Sequence, residues 1–365
     1  MKMYLNAFLI AITFTFCGSP GNTSNDYYST EDFERVKKID THVHINTNES
    51  DILEQARIDN FILISLNTEV PDYPTIEDQQ NYILNQRKKY GAGINWLTTF
   101  ETKTINQSGW SNRQLEYLKT SFKKGALGIK VWKNIGMAIK DKDSNFIMID
   151  NPIFDPIFNY LEANKIPVCG HLGEPKNCWL PIEKMTTNND RSYFASHPEY
   201  HMYLHPDYPS YDAQIVARDR LLEKHPNLTF IGAHLGSLEW NVDEIAKRLE
   251  KFPNMLIEPA ERLGQIQYQS LTNWQKVHDF FIKYQDRILY GTDTEPDSTQ
   301  NSVQIRKKAH DNWLIDWKYF NSGDSLVSER LNQKFKGLKL PKSVVDKIYY
   351  LNAHKCYFNK RENLN

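Results

Sequence analysis

Short apolar runs alternate with stretches of helical hydrophobic periodicity along most of this chain. Eight runs rich in β-branched and aromatic residues predict strands, at 39–44, 61–66, 94–100, 127–132, 167–171, 229–234, 255–258 and 288–293. The clearest helices between them are predicted at Glu77–Lys89, Asn112–Lys123, Pro156–Asn164, Tyr211–Lys224, Val242–Lys251 and Trp274–Tyr284. Regular alternation of strand and helix predicts a parallel sheet covered by helices, hence an α/β fold.

The number and spacing of the strands favour a closed sheet. Eight strands within about 255 residues fit a (β/α)₈ TIM barrel, which typically needs about 250 residues. An open doubly wound sheet is the alternative. It is disfavoured because the candidate metal ligands follow strands that are distant in sequence. Only closure of the sheet brings the ends of those strands around one centre. We therefore predict a distorted barrel that forms a single domain over residues 36–365.

Two segments interrupt the alternation. Residues 172–210, after the fifth strand, form a long aromatic insertion without clear periodicity. Long connections of this kind are usually functional or disordered, and the aromatic content argues against disorder, so we predict a lid or a pocket wall. Residues 301–340 form a second excursion, and 341–358 are predicted to be a closing helix.

His42 and His44 are the most informative residues of the chain. On a strand, alternate side chains share one face, so both imidazoles project the same way. Three further polar residues stand at the ends of later strands, namely His171, His234 and Asp293. We predict His42, His44, His171 and Asp293 as ligands of a divalent metal, because three imidazoles and one carboxylate suit Zn²⁺, with Mn²⁺ and Fe²⁺ as alternatives.

Asp293 and His234 are the predicted catalytic residues. A metal with an open position activates water near neutral pH, and Asp293 is suited to accept the proton of that water. His234 has two open roles, as a general acid or base and as a ligand of a second metal, so one or two ions are expected. Lys130 shares a strand face with Trp132, and three roles are open for it. It is a carbamylated bridging ligand, a binder of a substrate carboxylate, or a structural cation.

Composition narrows the range of partners. The 365 residues carry 44 Lys+Arg against 45 Asp+Glu, a formal net charge of -1, and no basic block stands out, so nucleic acid is not expected. The four cysteines have no metal-binding spacing, and Cys169 and Cys178 are expected to be free thiols rather than a disulfide. A small-molecule substrate is the expected partner, and a homo-oligomer stays open.

Residues 1–17 predict an export signal. An apolar stretch from Leu5 to Phe16, too short to span a bilayer, ends at Cys17 and is followed by residues 18–35, interpreted as a flexible linker. The pattern resembles a bacterial lipoprotein signal in which Cys17 becomes lipidated, and a plain cleaved secretory signal is the alternative. Both predict an exported protein, in the periplasm or at the cell surface, and only the lipoprotein signal would attach it to the membrane, through the lipid on Cys17.

These motifs together resemble the amidohydrolase superfamily, in particular the amidohydrolase-related group of metal-dependent hydrolases and decarboxylases. The resemblance runs from about Val36 to Phe358 and is carried by five segments: Asp40–His44, Gly128–Asn134, His171–Pro175, Phe230–Gly236 and Leu289–Asp293. The order of the candidate ligands along the chain matches as well. The resemblance implies a distorted barrel in which His42, His44, His171 and Asp293 hold one metal.

The same resemblance implies roles for the remaining strand-end residues. His234 would be catalytic in a single-metal enzyme or a ligand in a two-metal enzyme, and Lys130 falls where two-metal members place a carbamylated lysine. Glu174, Glu258 and Arg262 would lie near the barrel mouth. Relatives often carry Asp where this chain has Glu258, and this departure leaves the role of Glu258 open.

The leading functional hypothesis is an exported metal-dependent hydrolase that cleaves an amide, ester or lactone bond of a small carboxylated molecule. The predicted substrate-binding residues are Lys130, Trp132, Lys133, Glu174, Arg191 and Arg262. A non-oxidative decarboxylase built on the same barrel is the alternative. A surface-anchored binding protein without catalytic activity is the third hypothesis.

Overall fold

The parallel strands lie where the hydrophobic pattern predicts them. The computed structural model describes residues 26–296 and 301–359. Its parallel strands are β1 Lys38–Val43, β2 Phe61–Leu66, β3 Ile94–Leu97, β4 Ile129–Val131, β5 Val168–Gly170, β6 Phe230–Gly232 and β7 Met255–Ile257. β1, β2 and β3 form one sheet and β4, β5, β6 and β7 form a second.

Isolated bridges join the two sheets. They lie between β3 and β4, between β7 and residues 288–294, and between 288–294 and β1, at Thr98–Ile129, Ile257–Ile288 and Val43–Thr294. Residues 288–293, predicted as the eighth strand, therefore occupy the expected place but do not form a regular strand. Asp293 has φ 63, in the left-handed region, which turns the chain out of the extended conformation. The fold is a TIM barrel whose regular pairing is interrupted at three joints.

Helices cover the outside of the strands. The main ones are Asp51–Ile58, Ile76–Tyr90, Trp110–Lys123, Asp155–Ala163, Tyr211–Lys224, Val242–Lys251 and Leu263–Lys283. Val242–Lys251 illustrates the packing: Val242, Ile245 and Leu249, spaced by three and four residues, are its buried positions. The helix predicted to begin at Trp274 begins eleven residues earlier, at Leu263, and Asn273 interrupts it with φ -149 and ψ 82.

The barrel interior is filled by apolar side chains. Strands from all sides of the ring contribute to one buried cluster, which includes Ile39, Ile64, Leu97, Cys169, Ile231 and Leu289. Residues from opposite strands can meet only inside the ring. Ala353, Cys356 and Tyr357 belong to the same cluster, so the C-terminal segment packs against this interior.

The two excursions and residues 341–359 are ordered. The insertion 172–210 folds into short helical turns and one helix, Asn188–Ser196. The second excursion consists of the helix Ser302–Asn321 and a two-residue antiparallel pairing of Ser325–Leu326 with Phe335–Lys336. The predicted closing helix is divided into Lys342–Asp346, a π-helical turn Lys347–Leu351 and Asn352–Tyr357.

Part of the segment predicted as a linker, residues 18–35, is attached to the domain. Phe33 is buried, the Tyr28 hydroxyl donates to Asp346 at 2.8 Å, and Trp317 Nε1 donates to the Ser29 carbonyl at 3.0 Å. Cys17 and the predicted export signal lie outside the described residues. Within the described part of the chain, no helix has both the length and the apolar character that crossing a bilayer requires.

Candidate active site

His42 and His44, at the carboxyl end of β1, converge on a single carboxylate. The Nε2 atoms of both rings lie 3.1 Å from Oδ1 of Asp293. Both Nδ1 atoms face acceptors: His42 Nδ1 is 2.7 Å from Glu258 Oε1, and His44 Nδ1 is 2.8 Å from the Leu66 carbonyl oxygen. Each acceptor fixes a proton on Nδ1, which leaves both Nε2 atoms directed at Asp293.

This arrangement fits a divalent metal. With the proton on Nδ1, a neutral imidazole presents its Nε2 lone pair to the Asp293 oxygen, and the contact is repulsive unless a cation or a further proton lies between them. Two imidazole nitrogens and one carboxylate oxygen are donors that Zn²⁺, Mn²⁺ and Fe²⁺ accept. Acceptors behind the ligating histidines, here Glu258 and the Leu66 carbonyl, are the usual support of such ligands.

A second group of potential donors shares His42 with Cys169 and Glu258. Metal binding by cysteine requires the thiolate. Burial raises the pKa of Cys169 to about 12, so this thiol is protonated at neutral pH. Cys169 and Cys178 are both buried free thiols, as expected from the sequence.

His171 lies next to His234 rather than within the group formed by His42, His44 and Asp293. His171 Nδ1 is 3.1 Å from His234 Nε2, and His234 Nδ1 is 2.8 Å from the Ala260 carbonyl. His171 Nε2 is buried and has no hydrogen-bond partner in the described structure. The structure thus brings three of the four predicted ligands together, and His234 Nε2 approaches their carboxylate to 3.9 Å from Oδ2.

Burial and neighbouring charges set the ionisation of these groups. Burial lowers the pKa of both His171 and His234 well below the usual value, so both rings are neutral at neutral pH. Burial alone would raise the pKa of Asp293, but its contacts with His42 and His44 outweigh burial and hold that pKa well below normal. For His42, burial and then Lys130 act to lower the pKa, but Asp293 and Glu258 outweigh them and the pKa is raised.

Buried hydrogen bonds hold residues 292–294 against β1. Asp40, on β1, accepts from the backbone N–H and the hydroxyl of Thr292, at 3.1 and 2.6 Å, and from Trp313 Nε1 at 2.9 Å. Gly291 makes a close approach possible, because a Cβ at this position would lie 2.9 Å from Glu258 Oε2 and 3.0 Å from the Cβ of His42. These contacts fix the distance between Asp293 and the two β1 histidines.

A cavity of about 700 Å³, called here the main cavity, opens onto these residues. Five of the six predicted substrate-binding residues line it: Lys130, Trp132, Lys133, Glu174 and Arg262. Lys130 Nζ lies 3.2 Å from His42 Nε2, and Lys133 forms an ion pair with Glu174. Arg191 does not line the cavity, because its guanidinium donates to Asn188 Oδ1 at 2.9 Å and to the Met185 carbonyl at 2.5 Å.

The insertion supplies one wall of the main cavity, as predicted. We call residues 188–200, which comprise the helix Asn188–Ser196 and the turn Pro198–Tyr200, the lid. Tyr193 and Tyr200 stack with ring centroids 6.4 Å apart, and Lys133 Nζ lies 4.9 Å from the centre of the Tyr200 ring. The lid therefore places aromatic faces beside the charged residues of the site.

Sequence reasoning missed Asp190, which lies on the lid and is 2% exposed. Its carboxylate accepts from Arg262 Nη1 at 3.3 Å, from Asn177 Nδ2 at 2.7 Å and from Gln265 Nε2 at 2.6 Å. Asp190 thus positions Arg262 and ties the lid to the helix Leu263–Lys283. Tyr73 was missed as well, and its hydroxyl donates to Glu295 Oε2 at 2.6 Å at the cavity edge.

Comparison with known proteins assigns the family. The amidohydrolase family profile matches residues 108–358, more than half of the chain. The chain belongs to the amidohydrolase family. The profile match begins after β1, so the placement of His42 and His44 in this amidohydrolase rests on the geometry described above. None of the curated proteins matches this sequence.

Several solved structures are similar to this amidohydrolase. An uncharacterised TIM-barrel protein from Bordetella bronchiseptica is 15% identical, with 88% of this chain and 98% of that chain covered and a TM-score of 0.50. 2,6-Dihydroxybenzoate decarboxylase from Rhizobium is 15% identical, with 88% and 98% covered and a TM-score of 0.49. 4-Oxalomesaconate hydratase from Rhodopseudomonas palustris is 11% identical, with 90% and 97% covered and a TM-score of 0.49. The first of these supports the barrel fold, and identities this low carry no argument about substrate.

Proposed function

We propose that this amidohydrolase is a metal-dependent hydrolase that adds water across an amide, ester or lactone bond of a small substrate. The observation that carries the proposal is the convergence of His42 Nε2 and His44 Nε2 on Asp293 Oδ1 at 3.1 Å. These three residues would hold a divalent ion, Zn²⁺ before Mn²⁺ or Fe²⁺. Such an ion supplies Lewis acidity and brings the pKa of water towards neutrality.

Asp293 and His234 are the groups placed to move protons. Asp293 is ionised, and its Oδ2 is the oxygen that does not contact the β1 histidines. It is therefore suited to accept the proton of the attacking water. His234 is neutral, its Nδ1 proton is held by the Ala260 carbonyl, and its Nε2 is 3.9 Å from Asp293 Oδ2. That nitrogen can take the proton over from Asp293 and deliver it to the leaving group.

Lys130 is the cation that favours a carboxylated substrate. Lys133 is paired with Glu174, and Arg262 with Asp190, whereas Lys130 forms no ion pair in the described part of the chain. Its ammonium lies 3.2 Å from His42 Nε2, so a substrate carboxylate bound to it would lie next to the reaction centre. The carbamylated and purely structural roles of Lys130 are the alternatives to this assignment.

A non-oxidative decarboxylase is the second candidate, and the position of Lys130 is the observation that favours it. A carboxylate held beside His42 is adjacent to the proposed metal ligands, where loss of carbon dioxide leaves a carbanion that must be protonated. His234 and Asp293 are the groups within reach that transfer protons. The same residues therefore serve either reaction, and the products distinguish them.

Metal analysis and a product assay test the proposal. We expect about one equivalent of metal, measured by mass spectrometry, in protein purified without chelator. The metal and the turnover of an amide, ester and lactone panel should both be lost in His42→Ala and kept in Arg191→Ala, which alters a residue outside the cavity. Release of carbon dioxide instead of hydrolytic products would favour the decarboxylase. Full activity of His42→Ala would contradict both candidates.

Export is a separate proposal that rests on sequence alone. We propose that residues 1–17 direct the protein out of the cytoplasm and that Cys17 carries the lipid. Labelled palmitate should then be incorporated into the wild-type protein and not into Cys17→Ser. Secretion of unlabelled protein cleaved near this position would favour the plain secretory signal.

A further inference from the structure

A second cavity, of about 440 Å³, lies between residues 176–186 of the insertion and the helix Leu263–Lys283. Among the described residues, it shares no lining residue with the main cavity. The helix is interrupted at this point, because Asn273, which also lines the second cavity, has non-helical backbone angles.

Two buried side chains that line this cavity each keep one oxygen without a partner. Glu239 is 1% exposed; its Oε1 accepts the Lys176 backbone N–H at 2.8 Å, and its Oε2 has no partner in the described structure. Gln265 is 2% exposed, and its Oε1 is likewise without a donor. Buried acceptors in this state carry an uncompensated desolvation penalty, which a ligand with donor groups would remove.

Aromatic and apolar side chains form part of the remaining walls, beside the polar residues Asn177, Thr186, Asn241, Gln269, Thr272 and Asn273. Trp240, Tyr268, Leu180 and Val277 line the cavity, and the indole of Trp240 is held in place by donating to the Tyr211 hydroxyl at 2.8 Å. Such walls suit a ligand with a small apolar body.

Both lysines that line the cavity already have partners. Lys176 Nζ lies 3.7 Å from the centre of the Trp240 ring, and Lys276 forms an ion pair with Asp243. Glu239 is the only acid lining this cavity among the described residues. The buried side-chain atoms of this lining that have no partner in the described structure, Glu239 Oε2 and Gln265 Oε1, are both oxygen acceptors.

We propose that this cavity is a second binding site that takes a small organic ammonium ion. The ammonium donates to Glu239 and Gln265, and the apolar body of the ligand packs against Trp240 and Tyr268. A cation fits better than a neutral donor because it also offsets the charge of the Glu239 carboxylate. Burial raises the pKa of that carboxyl to about 7, and a bound cation stabilises its ionised form.

Occupancy of this site is linked to the main cavity through Asp190. Asn177 and Gln265, which line the second cavity, both donate to the Asp190 carboxylate, and Asp190 accepts from Arg262 in the main cavity. A ligand that engages the Gln265 amide therefore acts on the hydrogen bonds that hold the lid and Arg262. The second cavity is therefore positioned to act as an effector site for the main cavity.

Calorimetric titration with benzylamine tests the proposal, with benzyl alcohol and benzoate as matched neutral and anionic probes. We expect saturable binding of one benzylamine, about tenfold weaker binding of benzyl alcohol, and no displacement of bound benzylamine by benzoate. Glu239→Gln should weaken benzylamine binding by about tenfold. Tyr268→Ala, which alters a partly exposed wall residue, should weaken it as well, and circular dichroism reports whether each variant is folded.

The position of the site is tested by two further measurements. His42→Ala, which alters the main cavity, should leave benzylamine binding unchanged. Bound benzylamine should slow hydrogen exchange of the lid backbone in the wild-type protein. Absence of saturable binding at millimolar benzylamine, undiminished binding by folded Glu239→Gln, or loss of binding in His42→Ala would each overturn the proposal.

Discussion

Lys133 forms an ion pair with Glu174 inside the main cavity, and the Glu174 carboxylate is 2% exposed. The other oxygen of Glu174 lies 3.5 Å from His171 Nε2 and 3.9 Å from Arg262 Nη2. The protein's own carboxylate therefore lies between the cations Lys133 and Arg262 and the neutral ring of His171. A substrate acid has to bind elsewhere, at Lys130, or displace Glu174.

Glu174→Gln should convert this position into an anion site. Removing the negative charge leaves Lys133 without its partner, so we expect benzoate to bind about tenfold more tightly to the variant than to the wild-type protein. The measurement is a calorimetric titration of metal-free and metal-loaded protein. Glu199→Gln, at a residue that lines the same cavity without an ion pair in the described structure, should leave benzoate affinity unchanged. Equal benzoate affinities of the wild-type protein and both variants would contradict the inference that Glu174 keeps an anion away from Lys133.

Glu258 is expected to support metal binding through His42. Replacing its carboxylate with a neutral amide weakens the acceptor for His42 Nδ1, so Glu258→Gln should lower metal affinity by about 10- to 100-fold. Competition against a chelating dye measures this. Glu162→Gln is a matched control, because Glu162 makes the same kind of contact with His225, at 3.1 Å, away from the main cavity. Comparable losses in both variants would indicate a general loss of structure instead.

Much of this fold was predictable because its signals are local. Strand positions follow from short apolar runs, and the shared face of His42 and His44 follows from strand periodicity. The helix Leu263–Lys283 was predicted only from Trp274, because Gln265 and Gln267 interrupt the apolar pattern although both are buried. Tertiary packing buries these two amide side chains, and the hydrophobic periodicity of a sequence cannot predict the burial of a polar residue. The eighth strand was predicted as regular because the left-handed backbone conformation of Asp293 cannot be recognised from its residue type or its neighbours in the sequence.

The candidate site was predictable in its residue types and less so in its contacts. That His171 faces His234 depends on the Ala260 carbonyl, which fixes the His234 ring from a different strand end. Asp190 lies in an insertion without periodicity, so its link to Arg262 could be found only from the structure. Arg191 is next to Asp190 on the same helix. It was predicted to bind substrate because the sequence reports its positive charge but not the direction in which its side chain points, which is towards Asn188.

The contribution of Glu239 to the stability of the protein should fall as the pH rises from about 5 to about 7. Its pKa is raised to about 7 by burial, above the ordinary value of 4.5, so between these values the folded state holds a proton that the unfolded state has released. The contribution is fully present below pH 4.5 and is lost as the pH rises through 7. The shift corresponds to on the order of 3 kcal/mol.

Glu239→Gln tests this, because the amide cannot titrate. Urea midpoints of the variant should depend less on pH between about 5 and about 7 than those of the wild-type protein. Glu250→Gln, at an exposed pair with Lys283, serves as the control and should keep the wild-type pH dependence in this interval. A Glu239→Gln profile parallel to the wild-type profile would mean that Glu239 is ionised throughout.

Replacing Gly291 with alanine is expected to lower both the stability and the metal affinity of the protein. Its added Cβ would lie 2.9 Å from Glu258 Oε2 and 3.0 Å from the His42 Cβ, so Gly291→Ala must displace the pair that supports the proposed metal ligand. We expect a loss of about 1–3 kcal/mol in the free energy of unfolding, together with lower metal affinity, because both follow from the same displacement. Gly93→Ala is the matched control, since a Cβ there meets only Tyr90 Cβ at 3.8 Å. Urea unfolding and dye competition on the two variants separate the effects. If Gly291→Ala kept both stability and metal affinity at the level of Gly93→Ala, the close packing of Gly291 against Glu258 and His42 would not be what fixes the geometry of this site.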